Sequence, residues 1–227
     1  MSTAAAPLDA AVEFANNPEP RCPCVLLLDT SGSMEGEKIN ALNDGLKVFK
    51  DDLSKDPLAS RRVEVAVVSF NNEITVVQDF VTVDQFQPPA LTAAGQTFMG
   101  AAVHKALDLI QSRKAQYKAN GVSYYRPWVF LITDGEPQGE ESSIVQQAIQ
   151  RLKDDENNKR VAFFAVGVGD ANMVRLGEFS QRAAPVKLKG TNFAEMFVWL
   201  SRSTQAVARA QVDDKQIALP PPGWGTV

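Results

Sequence analysis

Val25-Leu26-Leu27-Leu28-Asp29-Thr30-Ser31-Gly32-Ser33-Met34 passes from an apolar run straight onto a carboxylate, and two serines follow on either side of a glycine. A short apolar run bounded by turn residues reads as a strand buried on both faces, the habit of parallel sheets covered by helices. The polar cluster then stands at the carboxyl end of that strand, the rim at which open α/β sheets bind ligands. A carboxylate and two hydroxyls are hard oxygen donors, better suited to Mg²⁺, Ca²⁺ or Mn²⁺ than to zinc or copper. The same residues also suit a helix cap, in which a side-chain oxygen accepts a free backbone N–H. By itself the stretch does not choose between half a cation site and a cap.

The pattern recurs downstream. Pro127-Trp128-Val129-Phe130-Leu131-Ile132-Thr133-Asp134-Gly135-Glu136 is a second buried strand that ends on an aspartate and a glycine turn. Between the two, Thr92-Ala93-Ala94-Gly95-Gln96-Thr97 is a polar knot leading into a helix that starts near Phe98, and Thr97 is an acceptable N-cap for it. Two aspartates at strand ends face one another only if their strands are close neighbours in the sheet.

Around these stretches, strand and helix alternate. Ile39, Leu42, Leu46, Phe49 and Leu53 recur at three- and four-residue spacing and give one apolar helix face, which Asp56-Pro57 terminates. The β-branched run over 63–70 predicts a second central strand, and the Asn71-Asn72 turn predicts a short antiparallel edge partner over 74–77. Residues 81–91, with Pro88-Pro89, read as a surface loop. A helix over 142–152, a strand and its turn over 161–170, a short helix over 171–182, a last strand over 186–188 and a closing helix over 193–207 follow. This order implies an α/β, doubly wound, mostly parallel six-stranded sheet with one antiparallel edge strand and helices on both faces. Residues 1–20 form an N-terminal arm whose packing is left open, 21–210 the domain, and 211–227 a Pro-rich tail around Trp224. That tail either folds back onto the domain or is presented to a partner.

The 227 residues suffice for one sizeable core, and 44% hydrophobic with 22% charged content is ordinary for a globular protein. A net charge of −4, with both signs interspersed, argues against a nucleic-acid surface. No apolar stretch reaches the roughly 18 residues of a membrane span, and residues 1–20 lack a basic start followed by an apolar block. The expected compartment is the cytoplasm. Cys22 and Cys24 are the only cysteines, too few for a zinc site and read as reduced thiols. His104 is the only histidine, and no Gly-x-Ser-x-Gly elbow accompanies it. Gly167-x-Gly169 lacks the third glycine of a dinucleotide loop.

Asp29-x-Ser31-x-Ser33, Thr97 shortly after a glycine, and Asp134-Gly135 after a strand resemble the metal-ion-dependent adhesion site of von Willebrand factor A domains. The resemblance runs over about residues 23–209. It implies that Ser31, Ser33 and Thr97 ligate a divalent cation directly, with Asp29 and Asp134 acting directly or through water. Mg²⁺ is the expected ion. Because only two carboxylates are near it, the ion stays electrophilic toward a carboxylate offered by a protein partner. Residues 125–137, Leu188-Lys189-Gly190-Thr191-Asn192-Phe193 and the Pro-Pro-Pro-Gly-Trp tail further resemble the TerY-type proteins of bacterial tellurium-resistance and stress-response clusters. That resemblance implies a cytoplasmic, non-enzymatic scaffold working beside a protein phosphatase and a kinase-like partner. Two competing readings remain. One is a Mg²⁺-dependent phosphohydrolase or phosphotransfer enzyme, against which the first strand lacks a second aspartate and the chain lacks a P-loop. The other is a nucleotide-binding Rossmann-like protein, supported by topology alone.

Overall fold

The computed structural model describes residues 13–180, 182–212 and 222–226. Strand β1 (Cys22–Asp29) is followed by a 3₁₀ turn (Gly32–Met34), helices α1 (Glu37–Ser54) and α2 (Pro57–Arg62), and strands β2 (Val63–Phe70) and β3 (Ile74–Thr82). Helix α3 (Met99–Ala119) leads to β4 (Trp128–Thr133), α4 (Ser142–Asn157), β5 (Ala162–Gly167) and α5 (Met173–Phe179). Strand β6 (Val186–Leu188), helix α6 (Phe193–Arg209) and β7 (Gly225–Thr226) complete the order.

The strands form one sheet in the order β3-β2-β1-β4-β5-β6-β7. β2, β1, β4, β5 and β6 are parallel, while β3 runs antiparallel at one edge, as expected. β1 is buried at every position because it is covered on both faces. Cys22, Cys24, Leu26 and Leu28 join the core layer that contains Ile39, Leu46 and Phe49 of α1 and Phe193 and Phe197 of α6. Val25 and Leu27 point the other way, into the layer with Val103 and Leu107 of α3, Ala148 and Leu152 of α4, and Phe179 of α5. The period-two alternation of a strand divides one apolar run between two helical layers. At Gly45 of α1, a Cβ would lie only 2.6 Å from the Phe197 ring of α6, so the α1–α6 crossing depends on that glycine.

Three elements differ from the sequence expectation. The edge strand extends to Thr82, past the expected 77, because β3 stays paired with β2 through two register irregularities. Asp56-Pro57 ends α1 as expected, after Ser54, but also begins a short helix, α2, that the expectation lacked. Asp56 accepts the N–H groups of Leu58 and Ala59 at 3.0 and 3.2 Å, and Pro57 occupies the first turn of α2, where no N–H is required. The sheet also has a seventh strand, since the chain end returns as β7 antiparallel to β6. Trp224, 3% exposed, sits edge-on to Trp199 with ring centroids 5.6 Å apart. Of the Pro-rich tail, Pro220 and Pro221 lie outside the described residues, as do residues 1–12 of the arm.

The described end of the arm is packed. Phe14 lies against Tyr117 at 5.6 Å, and Glu13 pairs with Arg113. Below them Glu64, fully buried at the start of β2, is held by Arg21 at 2.8 Å, by Arg113 at 2.8 and 2.9 Å, and by the Tyr117 hydroxyl. Burial and the charge of Glu64 push the Cys22 thiol up to about 12, and burial raises Cys24 as well, so both thiols are structural. His104 is a half-buried α3 residue beside Arg151, and Gly167 is filled over by Met173.

Candidate metal centre

The sheet order reverses between β1 and β4: from β1 the chain crosses to β2 on one side, and from β4 to β5 on the other. Loops leaving two such strands diverge and open a crevice between them. β1 and β4 are paired in register, Leu28 beside Ile132, which brings Asp29 next to Thr133 and within reach of Asp134. This adjacency is what the two distant sequence stretches lacked.

Asp29 is fully buried, and both its oxygens are engaged. Oδ1 accepts the Ser31 N–H at 2.7 Å, which folds the Thr30-Ser31 turn back over the strand end, and Oδ2 accepts the Thr133 hydroxyl. Burial pushes the Asp29 carboxyl up to about 6; hydrogen bonds from Ser31 and Thr133 pull it down, and the neighbouring charge of Asp134 adds to the rise. The Ser31 and Ser33 hydroxyls lie 3.1 Å apart, and the Ser33 hydroxyl donates to Asp134 Oδ1 at 2.7 Å. The remaining Asp134 oxygen accepts the Lys38 ammonium, which also donates to the Ser33 carbonyl at 3.1 Å.

Thr97 arrives from the third loop by two backbone devices. Gly32 N–H donates to the Gly95 carbonyl at 3.0 Å, and Gly95 takes φ +81°, a left-handed turn open to glycine. Thr97 also exchanges two backbone hydrogen bonds with Gln138, at 3.2 and 3.0 Å, which ties the loop before α3 to the loop after β4. Its hydroxyl lies over Gly135, 3.6 Å from where a Cβ would stand, so glycine after Asp134 leaves room for it.

The capping alternative is not what these side chains do. The N-cap of α3 is Phe98, and the free N–H groups of Gly100 and Ala101 are taken by the Glu140 carboxylate at 2.7 and 3.0 Å. Ser31 precedes the 3₁₀ turn without a side-chain cap bond. Thr97, only 4% exposed, holds its hydroxyl over Gly135 rather than over the first turn of α3. Glu140, Gln138, Thr133 and Lys38 carry no motif of their own in the sequence; only their partners across the crevice give them a role.

The five oxygen-bearing residues from three loops therefore share one rim, and Ser33 is the exposed member. The donor set fits a hard divalent cation: three neutral hydroxyls and two carboxylates whose charges lie close in a buried setting. Among the described residues, no group of three or more His, Cys, Asp or Glu is placed to hold a metal.

Fold and site together define a doubly wound α/β module with an oxygen-lined rim at its switch point. The chain belongs to the von Willebrand factor type A domain family, whose model matches residues 24–196. No curated protein sequence matches it significantly. Among solved structures it is similar to a von Willebrand factor type A protein from Catenulispora acidiphila, with 19% identity and a TM-score of 0.62 over 82% of this chain and 43% of that one. It is also similar to proximal thread matrix protein 1 from the mussel byssus with a zinc-occupied MIDAS motif, with 14% identity and a TM-score of 0.55 over 82% and 48% of the chains. The ArnB paralogue VWA2 from Sulfolobus acidocaldarius is 17% identical, with a TM-score of 0.51 over 81% and 45%. The chain thus spans less than half the length of these proteins, and the likeness is one of fold.

Proposed function

We propose that this chain is a metal-dependent protein-binding module in which Asp29, Ser31, Ser33, Thr97 and Asp134 hold a divalent cation, Mg²⁺ in the cell. The convergence of these five residues from three loops on one rim carries the reading. The zinc-occupied MIDAS motif of the mussel protein supports a divalent ion at such a rim. When bound, the ion supplies a Lewis-acidic position for one further anionic oxygen, and the partner's contribution is a carboxylate.

The chain's own residues suit binding rather than turnover. Asp29 is committed on both oxygens to Ser31 and Thr133, and Asp134 to Ser33 and Lys38, so neither is poised to move a proton. No helix among the described residues is long and apolar enough to cross a membrane. The resemblance to TerY-type proteins supports placing the module in the cytoplasm, as a scaffold of a tellurium-resistance or stress-response system beside a phosphatase and a kinase-like protein.

Pull-down from a bacterial cytoplasm with wild type and Ser31→Ala, each in Mg²⁺ and in EDTA, tests this. Proteins retained only by wild type with Mg²⁺ are the expected result. Retention of the same proteins in all four conditions would remove the rim as the contact surface.

A further inference from the structure

Lys38 reaches the rim from the first turn of α1. Its ammonium sits on Asp134 Oδ2 and on the Ser33 carbonyl, and its stem lies against Gly169, where a Cβ would be 3.5 Å from Cε. The two ends of the ion pair are unlike: the Asp134 side chain is 1% exposed, whereas that of Lys38 is 32% exposed. The carboxylate is fixed in the crevice with its other oxygen on Ser33, and the ammonium comes in from solvent on a flexible stem.

We infer that Lys38 is a built-in counter-cation that competes with the divalent ion for Asp134. This rests on the proposed metal site. Two carboxylates close together in a low-exposure crevice require positive charge. Lys38 is the only ammonium or guanidinium hydrogen-bonded to either of them among the described residues. A dication that takes up Asp134 repels an ammonium on the same carboxylate, so the lysine leaves along its exposed side and the rim exchanges one positive charge for two. The lysine keeps the metal-free crevice folded and lowers its metal affinity. Load then follows the free divalent concentration, rather than remaining locked in.

The opposite assignment is a Lys38 that stays on Asp134 and orients it for the metal, as outer-shell partners often do. The two differ in sign. Lys38→Met keeps the length of the stem and removes the charge; Lys38→Arg keeps the charge. Titration calorimetry with MgCl₂ and MnCl₂ on the full chain should show Lys38→Met binding about tenfold more tightly than wild type, the scale of removing one nearby charge at a partly exposed site. Lys38→Arg should stay within about twofold of wild type. Thermal melts give a second readout. Lys38→Met without metal should melt below wild type, and its rise on adding Mg²⁺ should be the larger of the two. Equal or weaker binding by Lys38→Met, or a lowered melting temperature with an unchanged rise on metal, overturns the inference. If wild type and Lys38→Met both fail to bind either ion, the metal site itself is refuted and the inference falls with it; Asp134→Asn, which should abolish binding in both backgrounds, assigns any signal to the rim.

Discussion

At the scale of single residues, the rim is controlled by side chains that touch a ligand candidate rather than by the candidates alone. Thr133 is fully buried at the end of β4 and donates its hydroxyl to Asp29 Oδ2, while its oxygen accepts the Gly135 N–H at 3.1 Å. It therefore both orients the carboxylate and shapes the turn that presents Asp134. Thr133→Val keeps the shape and deletes both bonds, so Mg²⁺ affinity measured by calorimetry should fall roughly 10- to 100-fold. The metal-free protein should also lose about 1–3 kcal/mol in urea denaturation, because a buried acceptor is left unmade. A Thr133→Val protein that binds as tightly as wild type would show that Asp29 needs no such support. Neither Thr133 nor Lys38 was marked by the sequence, since a threonine in a strand and a lysine in a helix are ordinary residues until their neighbours are known.

Among elements, the decisive relation is between the loop before α3 and the loop after β4. Glu140 caps α3 from outside that helix, with two bonds to Gly100 and Ala101, and its negative charge stands at the helix N-terminus. The same pair of loops carries the Thr97–Gln138 bridge. Glu140→Ala should cost about 1 kcal/mol of stability, the usual loss for a cap, and should weaken metal binding by freeing Thr97. Glu140→Gln, which retains one acceptor, should fall between Ala and wild type in both measurements. The spacing of Thr97 from its helix made it look like the cap. Distinguishing cap from ligand took the cross-chain contact of a carboxylate 40 residues away.

Across the whole molecule, the two poles of the sheet are chemically separate. The Glu64 cluster lies at the amino-terminal end of the strands, beside Pro23 in register, and Asp29 lies six residues further along β1, about 20 Å at the rise of a strand. Glu64→Ala leaves Arg21 buried without a carboxylate and Arg113 with Glu13 alone, a loss of roughly 3–5 kcal/mol. In urea denaturation that loss should appear in full, while the Mg²⁺ affinity of the still-folded protein stays unchanged. A parallel drop in affinity would mean that the poles are coupled through the sheet. The cluster also joins the arm to the domain through Glu13, Phe14 and Arg21. Composition left that packing open because a lone Arg or Glu in a strand-like run carries no sign of its partner.

The sequence by itself determined the alternation of strands and helices, the doubly wound class and the antiparallel edge, and it singled out five oxygen-bearing candidates in three loops. Those features are local: apolar periodicity and turn residues declare themselves within a few positions. Tertiary structure decided which strands are neighbours, and so whether Asp29 and Asp134 share a crevice. It also decided that Thr97 is released from capping by Glu140, that Lys38 pairs with Asp134 at the rim, that Asp56-Pro57 begins a second helix as well as ending the first, and that Gly225–Thr226 returns to add a seventh strand. Each of these depends on a residue tens of positions away or on a choice between two uses of the same local chemistry, and only burial and pairing in the folded chain separate them.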